Sequence, residues 1–149
     1  MALVDLISPD IIKIPLQSSN KPEVLRELVH VLKDSGRIDD YDGVLEAIKA
    51  REEKQSTGLE SGIAVPHAKS PAVASLKMAI GIAPQGIEFN AMDGNPSTLF
   101  FMLVAPPDQS GPHVEALAEI AKLAQSKAVL KALVNADSAE EVVELLVEE

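Results

Sequence analysis

His67 stands where a nucleophile would be placed, at the end of the short apolar run Ile63-Ala64-Val65-Pro66-His67. Ile63 and Val65 are candidates for a core, and they would anchor the backbone that carries the ring. Pro66 donates no backbone hydrogen bond and fixes its own φ, so strand pairing is expected to stop there and the ring to project from a rigid edge. Gly58 and Gly62 bracket the run and leave the backbone free to turn closely around whatever group meets that ring. The same letters also fit a short buried strand and a Pro turn ending in a plain surface histidine, because short motifs recur by chance.

Two further residues widen the pattern. Arg51 lies sixteen positions upstream at the end of a helical periodicity, and His113 lies forty-six positions downstream, just after a Pro-rich loop. A cation in a last helical turn complements the macrodipole, while a planar guanidinium also holds phosphate oxygens more specifically than an ammonium does. His113 reads either as an ordinary first-turn residue or as a donor beside helix N–H groups that attract anions. A neutral imidazole with a pKa of about 6.5 offers an unprotonated nitrogen to an electrophile at neutral pH. Its other nitrogen is then expected to be held by a backbone carbonyl or a side chain.

Quoted together, these stretches carry a family resemblance. Ala50-Arg51-Glu52-Glu53, the Thr57 to Lys69 block, Gly86-Ile87-Glu88-Phe89 with Asp93-Gly94, Leu99-Phe100-Phe101 and His113-Val114-Glu115-Ala116-Leu117 run through almost the whole chain. The sequence resembles an enzyme IIA domain of the fructose/mannitol class of the phosphoenolpyruvate-dependent sugar phosphotransferase system, a class that includes nitrogen-regulatory relatives. The resemblance implies a phosphoryl carrier in which His67 takes the phosphoryl group, with Arg51 and His113 beside it. It implies a histidine-containing phosphocarrier protein as donor, and a cysteine on the IIB component of a fructose-type sugar transporter as acceptor, with neither metal nor other cofactor. The alternative within the class is a regulatory protein whose phosphorylation state alters its contacts with partners. Ala68-Lys69 and Gly86-Ile87-Glu88-Phe89 look closer to the sugar-type relatives. One position departs from the pattern: many relatives have an acidic residue six places before the active histidine, where this chain has Ser61 after Glu60, and Glu60 is left without a role.

Composition bounds the remaining classes. At 149 residues and 46% hydrophobic content the chain fits one domain, 1–149, with a sizeable core. Only Tyr41, Phe89, Phe100 and Phe101 are aromatic, which argues against base stacking, and a net charge of −10 without a basic stripe opposes nucleic-acid binding. With no cysteine and three histidines, thiolate metal sites and disulfides are out and a structural zinc site is not expected. No Gly-rich loop with Lys-Ser/Thr and no acidic cluster spaced for Mg²⁺ is present. No window reaches the roughly eighteen apolar residues of a membrane span and no leader pattern opens the chain, so direct membrane insertion is not expected and a cytoplasmic location is.

The elements that must position these residues follow from periodicity. Ile11 to Leu16 suits a short edge strand containing Pro15. Ser19 or Asn20 caps a helix with Val24, Leu25, Leu28, Val29 and Leu32 inward, ending at Ser35-Gly36; His30 on this helix is assigned no function. A second helix starts near Asp40, buries Val44, Leu45 and Ile48, and carries Arg51 in its last turn. Leu76 to Ala83 reads as a strand with Met78, Ile80 and Ile82 on one face, before a turn at Pro84-Gln85-Gly86. Thr98 to Ala105 reads as the central strand, buried on both faces. Residues 106–112 are expected to be loop, with His113 opening a helix that turns Leu117, Ile120, Ala121 and Ala124 inward; two short helices, 127–134 and 139–147, complete the chain. The class is α/β: a single domain with a mixed β-sheet flanked by helices on both faces.

Overall fold

The computed structural model describes residues 3–147. Five strands form one mixed sheet: β1 (Ile12–Lys13), β2 (Ile63–Ala64), β3 (His67–Lys69), β4 (Lys77–Ile87) and β5 (Ser97–Ala105). The order is β1-β4-β5-β2, with β3 also paired to β5. Only β4 and β5 are antiparallel neighbours; β1 runs parallel to β4, and β2 and β3 run parallel to β5.

The continuous apolar run of β5 makes it the sheet centre, as its composition predicts. Its side chains alternate between two cores: Leu99, Phe101 and Leu103 face one, Phe100, Met102 and Val104 the other. β4 divides in the same way, with Met78, Ile80 and Ile82 on the first face and Ala79 and Ala83 on the second. The first face is covered by α3 (Ser110–Leu123), α4 (Lys127–Val134) and α5 (Ala139–Val147), which contribute Ala116, Ile120, Leu130, Leu133 and Val142. The second is covered by α1 (Lys21–Asp34) and α2 (Tyr41–Lys54) through Val24, Leu28, Leu32, Val44 and Ile48. Each fully buried side chain of this size contributes about 1.5–3 kcal/mol, so both layers are held by apolar burial.

Local signals set the helix ends. Asn20 accepts from the Glu23 N–H at 3.0 Å and Asp40 from the Gly43 N–H at 2.9 Å, each satisfying a first-turn donor. Gly36, with φ of 77°, stops α1 where the sequence predicts.

Five expectations need correction. Strand pairing does not end at Pro66: the ladder is interrupted there, but β3 resumes parallel to β5 with His67 opposite Leu103, and the Pro66 carbonyl accepts the Leu103 N–H at 2.9 Å. β4 does not end before Pro84; it absorbs Pro84-Gln85-Gly86 through a register shift between Ile82 and Ile87, where Gly86 takes φ of 78°. α3 begins at Ser110, not at His113, because Pro112 falls in the first turn where its missing N–H breaks no helical bond. Its buried residues are His113, Ala116 and Ile120, whereas Leu117 and Ala124 are only partly buried and Ala121 is exposed. Leu45 of α2 is likewise only partly buried, and Glu52 is buried on that helix instead.

Candidate active site

His67 sits at the start of β3, on the outer side of the central strand, with its ring half-buried. Its Nδ1 lies 2.7 Å from the Val65 carbonyl oxygen. A carbonyl only accepts, so Nδ1 carries the hydrogen, and in the neutral form of the ring it is Nε2 that has the lone pair. That carbonyl lies in the gap between β2 and β3, at the Val65-Pro66 step that interrupts the strand. The predicted holding bond is therefore present, and its partner is the backbone two residues upstream.

The neighbouring wall is α3. The His113 ring stands 5.4 Å from the His67 ring, edge-on at 78°. His113 is 5% exposed, and its Nε2 is buried with no hydrogen-bond partner among the described residues. Burial pushes the His113 pKa below its ordinary value, and the nearby His67 and Lys69 push it in the same direction. His113 is accordingly neutral at pH 7. An unpaired buried polar atom costs about 1–3 kcal/mol, and here that cost is borne beside the acceptor ring. A cation also borders the pair: Lys69, two residues beyond His67, whose Nζ donates to Ser110 Oγ at 2.6 Å.

Arg51 lies in the last turn of α2, a helix packed against β3, and its Nη1 donates to the Gln55 carbonyl oxygen at 2.8 Å. This is the helix-terminal arrangement anticipated from its position. The structure therefore brings His67 and His113 together directly, while the recorded hydrogen bond of Arg51 closes its own helix. Ala47 and Ala50 line the same open concavity as Lys69 and Ser70, so the α2 face just before Arg51 borders the strand that carries His67.

Two features of the frame escape the sequence reading. Glu52, 7% exposed, accepts from the Thr57 N–H at 2.8 Å and the Thr57 hydroxyl at 2.7 Å, and pairs with Lys21 Nζ at 2.9 Å. This cluster ties the end of α2 and the start of α1 to the segment leading into β2. Lys21 Nζ also lies 4.6 Å over the Phe89 ring. Glu52→Ala would strand Lys21 and Thr57 in a largely buried setting, and a loss of about 3 kcal/mol is expected. Chemical unfolding of the variant checks this; a midpoint equal to wild type would contradict it. Glu52 falls four residues after Ile48 and eight after Val44, so it continues the buried stripe of α2, and that spacing is the one signal in the sequence for its burial.

The glycines form the second feature. Gly58 and Gly62 both pack closely against the chain itself. A Cβ at Gly58 would meet Ala91 Cα at 2.8 Å, and one at Gly62, where φ is 78°, would meet Thr98 Oγ1 at 2.9 Å. Ser61 is exposed with φ of 62°, and its N–H donates to Asp93 Oδ2 at 3.3 Å; Glu60 is also exposed. The Asp93-Gly94 turn thus supports the loop before β2.

The arrangement places a histidine whose Nδ1 is tied to a backbone carbonyl beside a second, neutral histidine with an unsatisfied nitrogen, and sets a lysine within one strand repeat of the first. These are the components of a phosphoryl or other anionic group acceptor. Comparison with known proteins agrees with that chemistry. Residues 5–149 match the family described as phosphoenolpyruvate-dependent sugar phosphotransferase system, EIIA 2. The chain is 33% identical over 146 residues to the fructose-specific EIIABC component of Bacillus subtilis, covering 98% of this chain and 23% of that protein. It is 32% identical to the fructose-specific EIIA component of Haloferax volcanii, covering 97% and 95% of the two chains. The crystal structure of the nitrogen regulatory protein IIA-Ntr from Neisseria meningitidis superposes with a TM-score of 0.88 at 29% identity, covering 97% of this chain and 98% of that one. A half-buried histidine with one nitrogen tied to the backbone, a mixed sheet between two helical layers, and a match from residue 5 to the end lead to one assignment: this chain belongs to the EIIA type 2 family of the phosphoenolpyruvate-dependent sugar phosphotransferase system.

Proposed function

We propose that the chain, as a single unit over 1–149, carries a phosphoryl group on Nε2 of His67, taken from a histidine-containing phosphocarrier protein and passed to the IIB component of a fructose-type sugar transporter. The observation that carries this reading is the 2.7 Å bond from His67 Nδ1 to the Val65 carbonyl, which leaves Nε2 as the free nucleophile. In the forward step the Nε2 lone pair attacks phosphorus while the donor's N–P bond breaks, its electron pair staying on the donor imidazole. The Nδ1 hydrogen remains on His67 throughout, and no proton need move. In the second step a cysteine thiolate on IIB attacks the same phosphorus, and the bonding pair returns to Nε2.

The transition state is loose, with charge on the peripheral oxygens, so positioned donors supply most of the rate. His113, in the tautomer with hydrogen on Nε2, offers its unpartnered nitrogen to a phosphoryl oxygen seated on the neighbouring ring. Arg51 is the second donor, released from the Gln55 carbonyl when the more basic phosphoryl oxygen is present. Val114, 64% exposed, follows His113 directly and offers an apolar contact to whichever partner covers the site.

A nitrogen-regulatory role is the second reading, favoured by the close fold likeness to the Neisseria protein. Incubation with labelled phosphocarrier, followed by addition of a fructose-type IIB, separates the two. Label that moves through this chain to IIB supports the relay, and label that stays on the chain supports the regulatory role. Arg51→Ala is expected to slow transfer about thirtyfold, within the range for loss of one transition-state donor; an unchanged rate would remove Arg51 from the site.

A further inference from the structure

β3 and α3 face each other as a two-rung ladder. Ala68 is buried, so His67 and Lys69, on either side of it, project together from the outer face of the strand. Ser110 and His113, three apart on α3, likewise share one face of the helix. The inner rung is the His67–His113 ring pair, and the outer rung is the Lys69–Ser110 hydrogen bond of 2.6 Å. On the inner rung the buried His113 Nε2 waits for a partner. On the outer rung an exposed lysine, which could swing freely, is held toward the same site by a helix-start hydroxyl.

We propose that Lys69 is a phosphoryl-binding residue, parked on Ser110 while His67 is empty and turned onto a phosphoryl oxygen once His67 is loaded, with Ser110 as its positioning residue. This deepens the carrier reading and rests on it. Both ends of the reach are set by the fold: Lys69 lies two positions along one strand from His67, about 6.6 Å at the usual strand rise, and a lysine stem spans that distance. The ammonium neither gives nor takes a proton in the transfer; it neutralises charge that the phosphoryl group brings. The Ser110 hydroxyl, freed of the ammonium, can then turn its hydrogen toward the same oxygens beside the first N–H groups of α3. In a chain of net charge −10, a cation fixed beside the acceptor also offsets the general repulsion of an incoming phosphate.

The test measures both the rate of label transfer from phosphocarrier and the equilibrium distribution of label between the two proteins. Lys69→Met keeps the aliphatic stem and removes the charge. It is expected to shift the equilibrium about tenfold toward the donor, the worth of one charge-assisted hydrogen bond open to water. Lys69→Arg should restore it to within about threefold, and Ser110→Ala should slow transfer while moving the equilibrium less than Lys69→Met does. An equilibrium unchanged in Lys69→Met would overturn the inference, even if KM for the phosphocarrier rose, since the lysine would then only attract the partner. Failure of Lys69→Arg to restore the equilibrium would overturn it too. If wild type itself takes no label on His67, the carrier reading falls; if wild type is labelled and Lys69→Met matches it, only the role of the lysine falls.

Discussion

His67→Ala is expected to take no stable label from a phosphorylated phosphocarrier, a loss on the order of 10⁴-fold or more, because it removes the proposed nucleophile. The neighbouring imidazole cannot replace it. His113 Nε2 is buried, out of reach of a donor protein, while the third histidine, His30, packs against Tyr41 on the helical layer formed by α1 and α2. The variant should still fold. It gives up one hydrogen bond to the Val65 carbonyl, about 1 kcal/mol, from a half-buried position at the sheet margin. Autoradiography of the trapped protein, with unfolding as a control, checks both halves. Label persisting on a folded His67→Ala would move the acceptor elsewhere.

His113→Leu separates stability from function in opposite directions. It replaces a buried ring whose Nε2 has no partner with an apolar group at a position in line with Ala116 and Ile120 on the buried face of α3. Removing an unsatisfied buried polar atom should stabilise the unphosphorylated protein by about 1 kcal/mol. Transfer should slow by about 10²-fold, the usual worth of one positioned donor to developing charge. The pH dependence has a defined sign. Because burial, with help from His67 and Lys69, lowers the folded pKa of His113, the unfolded chain binds more protons below about pH 6.5. The contribution of neutral His113 is therefore complete above that pH and is lost as pH falls through the lowered folded value. His113→Leu lacks this term, so its stability advantage should widen under mild acid. A variant less stable than wild type at every pH, or one with full transfer rate, would contradict the assignment.

Much of the fold was legible because its strongest signals are local. The uninterrupted apolar run of β5 could only be a strand covered on both sides, and Asn20 and Asp40 mark helix starts through short-range hydrogen bonds. His67 and His113 were identifiable as partners only through the resemblance, since forty-six residues separate them and the register between β3 and α3 is a tertiary property. The misread features share that origin. Pro66 blocks one donor, yet β3 re-forms because β5 offers it a parallel ladder; Pro84 falls inside β4 because a register shift absorbs it. Burial of His113 in place of Leu117 runs against hydrophobic patterning, and such a violation is expected where a site needs a polar atom in a dry place. Glu52 was missed for the converse reason: its partners, Lys21 and Thr57, come together only when the chain folds.

The most direct measurement is the identity of the phosphorylated atom. Phosphorus-31 and nitrogen-15 NMR of the loaded protein should place phosphorus on Nε2 of His67, with Nδ1 still protonated and bonded to the Val65 carbonyl. Phosphorus on Nδ1, or on any other residue, would contradict the account, because the bond that orients the ring would then block the atom that reacts.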